Sequence, residues 1–333
     1  MKNVFSALLA ALMLAGMLAG CMNSSEVPMG SATAAPSQTE APAHTKISVV
    51  TTIFPEYDWV REILGDKADS AEITMLLDKG VDLHSYQPTA DDLIKLSDCD
   101  LFVYVGGESD EWVDDALKSP ANKNRKVINL LEILGDSVKE EETVEGMQVE
   151  EEDHEEKEYD EHVWLSLKNA KTLVGAISKS LQELDPDNKD TYAANADAYV
   201  QKLSALDAEY QKAVSAGTYQ TVLFGDRFPF RYLVDDYGLS YYAAFVGCSA
   251  ESEASFETVS FLARKAEELK LPCILTIEGK NHKIAETIVQ NTAGKNQKIL
   301  TMDSMQSTTS QDVATTYLSL MAKNLDVLKE ALG

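Results

Sequence analysis

Eight short runs of β-branched and apolar residues, four in each half of the chain, alternate with stretches of helical spacing. The first four are Ile47–Ile53, Ile73–Leu77, Leu101–Val105 and Val127–Leu130; the second four are Thr221–Phe224, Tyr241–Phe245, Cys273–Ile277 and Lys298–Thr301. Strand, helix and strand in succession argue for βαβ units, whose strands run parallel. The pattern predicts an α/β fold of two similar lobes with mainly parallel sheets, although no sequence repeat relates the halves. Helical spacing marks the segments around Asp58–Leu64 and Asp91–Leu96, the latter with Thr89 as N-cap and Asp92 three residues on. Ser255–Leu269 reads as an amphipathic helix with Phe256, Val259, Leu262, Ala263, Ala266 and Leu269 on one face. A C-terminal helix carries Val313, Tyr317, Leu320, Met321 and Leu328.

Between the halves, Asn188–Ala213 places Tyr192, Ala196, Tyr199, Leu203, Leu206, Tyr210 and Ala213 at alternating steps of four and three. That is one apolar stripe on a single helix, preceded by the stop signal Asp185-Pro186. About 26 residues at 1.5 Å each give roughly 39 Å, enough to run along both lobes. The expected organisation is therefore an N-terminal lobe over 46–187, a linking helix over 188–215 and a C-terminal lobe over 216–333.

The first 45 residues read as an address and a leash. Lys2 precedes an apolar stretch from Val4 to Gly20, broken only by Ser6, the layout of a secretory signal too short for an anchored membrane span. Residues 22–45 are rich in Ser, Ala, Pro and Thr and cannot bury enough surface to fold, so a flexible tether is expected.

The formal net charge is −26, from 29 Lys and Arg against 55 Asp and Glu. A surface this negative repels phosphate backbones, which excludes nucleic acid as a partner, and it suits cations. Much of the charge sits in one place: Lys139–Glu161 holds 13 acidic residues, two lysines and His154. Like charges repel, so this run is expected to be a disordered insertion in the first lobe. Four cysteines without a CxxC pair make no disulfide framework. Cys99 and Cys273 lie in apolar strand contexts and read as core residues. Cys248, in Val246-Gly247-Cys248-Ser249, could approach a cleft, but nothing in the sequence gives it a role.

No HExxH, Walker loop, GxGxxG after a strand, or GxSxG elbow is present. What remains is a pair of histidines in loops. His84 lies in Asp82-Leu83-His84-Ser85-Tyr86-Gln87-Pro88, beyond the strand ending at Leu77; His162 lies in Asp160-Glu161-His162-Val163-Trp164-Leu165, before a helix. Loops at the carboxyl ends of parallel strands are where α/β sheets place ligands. Imidazole is the commonest metal ligand, and neighbouring carboxylates can hold its second nitrogen.

The stretch from Asp82 to Val113 resembles the first histidine motif of the ABC-transporter solute-binding lipoproteins for zinc and manganese. Asp160-Glu161-His162-Val163-Trp164-Leu165 resembles their second motif. The long helix, Asp235-Asp236-Tyr237-Gly238-Leu239, Glu253-Ala254-Ser255 and Tyr317-Leu318-Ser319-Leu320-Met321 are similar to further family landmarks. Leu18-Ala19-Gly20-Cys21 resembles the lipobox of bacterial lipoproteins, whose cysteine becomes the lipidated N-terminus.

The resemblance implies one metal ion held between the lobes by four residues. Two are His84 and His162. The third follows the first strand of the second lobe, where this chain reads Phe224-Gly225-Asp226-Arg227-Phe228-Pro229-Phe230 in place of the family's Ser-His-Asp-Ala-Phe; Asp226 is the expected substitute, with Glu251 or Glu253 as fallbacks. The fourth is Asp303, in Thr301-Met302-Asp303-Ser304. Arg227 either orients a carboxylate in the cleft or makes a structural ion pair. Two imidazoles and two carboxylates suit zinc, with manganese as the alternative. The charged insertion before the second histidine, like that of zinc-type members, favours zinc. The resemblance further implies a monomeric, non-enzymatic receptor held outside the membrane by a lipid on Cys21, delivering its ion to an ABC permease. Readings from other classes are a zinc hydrolase, which would need an open coordination position and a general base, and a surface adhesin with a structural metal.

Overall fold

Each of the eight apolar runs forms a strand in the computed structural model, which describes residues 46–148, 158–249, 253–279, 281–312 and 314–333. The signal and tether over 1–45, with Cys21 and His44, lie outside the described residues, as do His154, Glu251 and Val313.

The first sheet contains β1 (Ser48–Thr51), β2 (Glu72–Met75), β3 (Leu101–Tyr104) and β4 (Lys126–Asn129), in the order β2-β1-β3-β4. The second contains β5 (Thr221–Phe228), β6 (Ser240–Val246), β7 (Cys273–Ile277) and β8 (Lys298–Met302), in the order β6-β5-β7-β8. All the pairings are parallel, and the two sheets share one topology. The residues of β3 and β7 are buried throughout, as expected of parallel strands covered on both faces.

The first lobe carries α1 (Phe54–Leu64), α2 (Ala90–Asp98), α3 (Trp112–Leu117), α4 (Leu130–Leu134) and α5 (Leu167–Leu184). Thr89 caps α2, its hydroxyl accepting from Asp92 N at 3.2 Å while Asp92 returns a bond to Thr89 N at 2.9 Å. The linking helix, α6 (Lys189–Ala216), runs 28 residues. It packs on α1 and α5 of the first lobe and, at its far end, on the C-terminal helix of the second. Asn195 Nδ2 donates to Ile63 O at 2.9 Å, and Tyr210 Oη donates to Met321 O at 2.7 Å, so one rigid element is tied to both lobes. Tyr192, Ala196, Tyr199, Leu203 and Tyr210 of its stripe are buried.

The second lobe carries α7 (Arg231–Tyr237), α8 (Phe256–Glu268), α9 (Lys283–Asn291) and α10 (Tyr317–Leu332). Val259, Leu262, Ala263 and Ala266 of α8 pack with Leu223, Ile274 and Ile288 in a small core on one face of the second sheet. Phe256, expected on that face, is 81% exposed, because it is the first residue after the cap Ser255 and points away from the sheet. The α10 helix returns to the first lobe: Tyr317 N donates to the buried Asp58 carboxylate at 2.9 Å, and the Tyr317 ring packs edge-on against Trp59.

Two expectations are corrected here. The first strand of the second lobe does not stop at Phe224; β5 runs on to Phe228, with a register shift between Phe224 and Arg227. The acidic run is also not a free loop over its described parts. Glu140 bridges Tyr159, Gln148 N donates to Ala244 O at 2.9 Å, and Met147 is buried. Arg231 pairs with Glu142 at 3.0 Å, and Tyr232 Oη accepts from Lys139 N and donates to Asp160 O. Cationic and hydroxyl partners from the second lobe offset the self-repulsion that composition alone predicted.

Candidate metal centre

His84 is presented by a single 3-10 turn, Leu83–Ser85, beyond β2. Leu83 is buried and pins the turn, and Asp82 caps it by accepting from His84 N at 3.1 Å. The other Asp82 oxygen accepts from Arg227 Nη2 of β5 at 2.7 Å, an ion pair that joins the two lobes beside the histidine. Burial works against the Asp82 charge, but Arg227 outweighs it and holds the carboxyl below its ordinary range.

His162 is fully buried and opens the turn Val163–Leu165, with Trp164 buried behind it. One Asp160 oxygen accepts from the His162 backbone N–H and lies 2.9 Å from its Nδ1. Trp164 Nε1 donates to Ser304 O at 2.9 Å, locking this turn to the loop after β8.

These partners set the tautomers. A carboxylate only accepts, so Asp160 holds a proton on His162 Nδ1. His84 Nδ1 lies 2.8 Å from Ser109 Oγ, whose hydroxyl can accept, and 3.6 Å from Glu161 Oε2, so a proton on the same atom of this ring has an acceptor. Both Nε2 lone pairs then face one space, 3.2 Å apart. The Gln306 amide nitrogen sits 2.8 Å from His84 Nε2 and 2.6 Å from His162 Nε2, so its two N–H groups donate one to each ring. Burial, and then repulsion from His162, depress the His84 pKa to about 3, which keeps its Nε2 lone pair free of a proton near neutrality.

A thiol joins the pair. After β6 the chain turns through Gly247 to Cys248, whose N–H donates to Glu141 Oε1 of the acidic run at 3.1 Å. A Cβ at Gly247 would fall 2.8 Å from His162 Cε1 and 2.9 Å from Phe228 O, so only glycine lets this turn lie against the imidazole. Ligand atoms of His84, His162 and Cys248 all lie within 4.8 Å of one another. Among the described residues this is the one cluster of three or more His, Cys, Asp or Glu side chains able to share an ion. Burial pushes the Cys248 thiol well up, with Glu161, Glu141 and Asp160 adding to the effect.

Asp226 and Asp303, expected as the third and fourth ligands, are not in this cluster. The register shift in β5 turns Asp226 toward β7, where it accepts from Thr276 Oγ1 at 2.6 Å and Ile277 N at 3.4 Å, while Arg227 reaches the inter-lobe ion pair. Asp303 braces its own loop, accepting from Met305 N at 2.9 Å and Thr308 Oγ1 at 3.4 Å. Glu253 is exposed.

Two other residues at this site were not expected from sequence. Glu278 follows β7 and accepts from both Ser304 N and Ser304 Oγ at 2.6 Å; burial and the nearby Asp303 raise its pKa to about 7. Ser304 Oγ in turn lies 2.9 Å from Gln306 Oε1, so Glu278 props the loop that presents the amide. A carboxylate at a strand end was a signal available in the sequence for Glu278; nothing marked Gln306.

Residues 49–331 match the family model described as zinc-uptake complex component A, periplasmic. The chain is 32% identical over 296 residues to the zinc-binding lipoprotein AdcA of Streptococcus pneumoniae, a match covering 86% of this chain and 56% of that protein. The chain thus spans little more than half the length of that relative. It is 30% identical over 296 residues to the high-affinity zinc uptake system protein ZnuA of Bacillus subtilis, covering 86% of this chain and 88% of that one. Among solved structures, the Zn(II)-bound ZnuA-like domain of Streptococcus pneumoniae AdcA superposes with a TM-score of 0.67 at 30% identity, over 86% of this chain and 99% of that domain.

Proposed function

Because this chain belongs to the zinc-uptake component A family, we propose that it is the extracytoplasmic receptor of an ABC importer, capturing zinc between its lobes and passing it to a membrane permease. The observation that carries this reading is the convergence of two imidazoles, His84 from the first lobe's β2 loop and His162 from the turn before α5, on one space. Each ring has its Nδ1 proton held by a partner, the arrangement that presents Nε2 to an ion and raises its basicity. The role is capture and release, with no bond made or broken in a substrate. Sequence also supports a lipid anchor on Cys21, and the curated AdcA relative is named a lipoprotein.

The ion competes with the Gln306 amide, whose nitrogen faces the same two lone pairs. Entry therefore requires the amide to swing aside or to turn its oxygen inward. The α6 helix, bonded to both lobes, restrains their hinge motion, so the loops carrying His84 and Gln306 are the elements that gate release. The test is competition against a chromophoric chelator, run with zinc and with manganese. One zinc per chain is expected, held more tightly than manganese and lost in His84→Ala and His162→Ala. Equal zinc affinity in both variants, or tighter binding of manganese, would overturn the reading.

A further inference from the structure

We propose that the third metal ligand of this site is the Cys248 thiolate, bound alongside His84 Nε2 and His162 Nε2. The inference rests on the zinc-receptor reading and adds the identity of the donor contributed by the second lobe.

A zinc-type ion held by protein takes about four donors, from nitrogen, sulfur or carboxylate oxygen. Two imidazoles leave the set incomplete, and both come from the first lobe. The second lobe offers the strand ends of β5, β6, β7 and β8. After β7 Glu278 is engaged by Ser304 N and Oγ, and after β8 Asp303 is engaged by Met305 N and Thr308 Oγ1. At β5 the side chains are committed: Arg227 is a cation paired with Asp82, and Asp226 is engaged by Thr276 and Ile277. A guanidinium cannot ligate a cation. At β6, Gly247 brings the backbone into contact with the His162 ring, and the next residue is a cysteine whose sulfur shares one sphere with the histidine nitrogens. The close approach that Gly247 permits has its consequence at Cys248, the residue it carries to the imidazoles.

Chemistry supports the same assignment. Thiolate is a soft donor that widens the preference for zinc over manganese, where carboxylate oxygen would narrow it. Coordination deprotonates the thiol outright and releases its proton to solvent, so the step is an exchange of H⁺ for the metal at sulfur. Gln306 is the fourth side chain in reach of the same space, and its amide oxygen can complete a four-coordinate set once the amide turns. The other two described cysteines, Cys99 and Cys273, are buried in the strand and helix packing of the lobes and serve as internal controls.

The test uses the full chain loaded with cobalt(II), which reports a sulfur ligand by a thiolate-to-metal charge-transfer band in the near ultraviolet. The band is expected in the wild type, absent in Cys248→Ser, and unchanged in a Cys99→Ser, Cys273→Ser double variant. Zinc affinity in Cys248→Ser should fall by more than the roughly 10–100-fold typical of losing an outer-shell partner. A second measurement avoids dependence on the variant: X-ray absorption at the zinc edge of the zinc-loaded wild type should show a sulfur neighbour at about 2.3 Å. Wild-type protein that binds metal through His84 but shows no charge-transfer band, or whose zinc-edge spectrum shows only nitrogen and oxygen neighbours, would overturn this proposal alone. Wild-type protein that binds neither zinc nor cobalt would overturn the receptor reading beneath it.

Discussion

Asp160→Asn should weaken zinc binding without unfolding the protein. One oxygen of Asp160 both accepts from the His162 backbone and faces its Nδ1, each at 2.9 Å, so a single carboxylate fixes the ring's position and its tautomer. An asparagine at the same place can rotate its NH2 toward Nδ1. The imidazole proton then moves to Nε2, the atom that must offer a lone pair. Loss of such an outer-shell partner typically costs 10–100-fold in metal affinity, about 1.4–2.8 kcal/mol. Asp160→Ala removes both bonds without offering a donor and should fall in the same range. Asp160→Asn keeps an acceptor for the His162 backbone N–H and should change the stability of the metal-free protein little, whereas Asp160→Ala leaves buried His162 donors unpaired and should cost about 1–3 kcal/mol. Chelator competition gives the affinity, and thermal unfolding of metal-free samples controls for the fold. Zinc affinity within twofold of wild type in both variants would refute the assignment of Nε2 as the binding atom and of Asp160 as the group that sets it.

Leu203→Ala, at a fully buried position of the α6 stripe, should cost about 2–5 kcal/mol in denaturant unfolding; a loss below 1 kcal/mol would mean the helix is not packed as described. Deleting 139–161 removes Asp160, Glu161 and the Glu141 contact to Cys248 N, so metal binding should be abolished, and a deletion that keeps wild-type affinity would contradict the structure. Burial raises the Asp58 pKa from 3.8 to about 6. The folded state therefore holds the proton more tightly, and this carboxyl's contribution to stability falls as pH rises from about 4 to about 6. Across that window the difference amounts to about 3 kcal/mol. Asp58→Asn should thus gain stability relative to wild type between pH 4 and pH 7, and a constant difference would contradict the sign.

The fold was legible because parallel strands covered on both faces need unbroken apolar runs, and Leu101–Tyr104 and Cys273–Ile277 supply them. The α6 stripe was legible for the same reason at helical period. The histidines were legible because imidazoles at strand ends carry little structural purpose of their own. The donor from the second lobe was not. Which of Asp226 and Arg227 faces the cleft depends on the register shift in β5, and a shift of one residue exchanges the faces of a strand without altering the composition. The ordering of the acidic run was hidden too, since its partners Arg231, Tyr232 and Tyr241 lie some ninety residues away in sequence and meet it only after the lobes have folded.

The most direct test of the account is the position of the metal itself. Crystals of the zinc-loaded protein, measured on both sides of the zinc absorption edge, should show one anomalous peak within bonding distance of both His84 Nε2 and His162 Nε2. A peak that touches only one of these histidines, or that lies among Asp226, Glu278 and Asp303 instead, would contradict it.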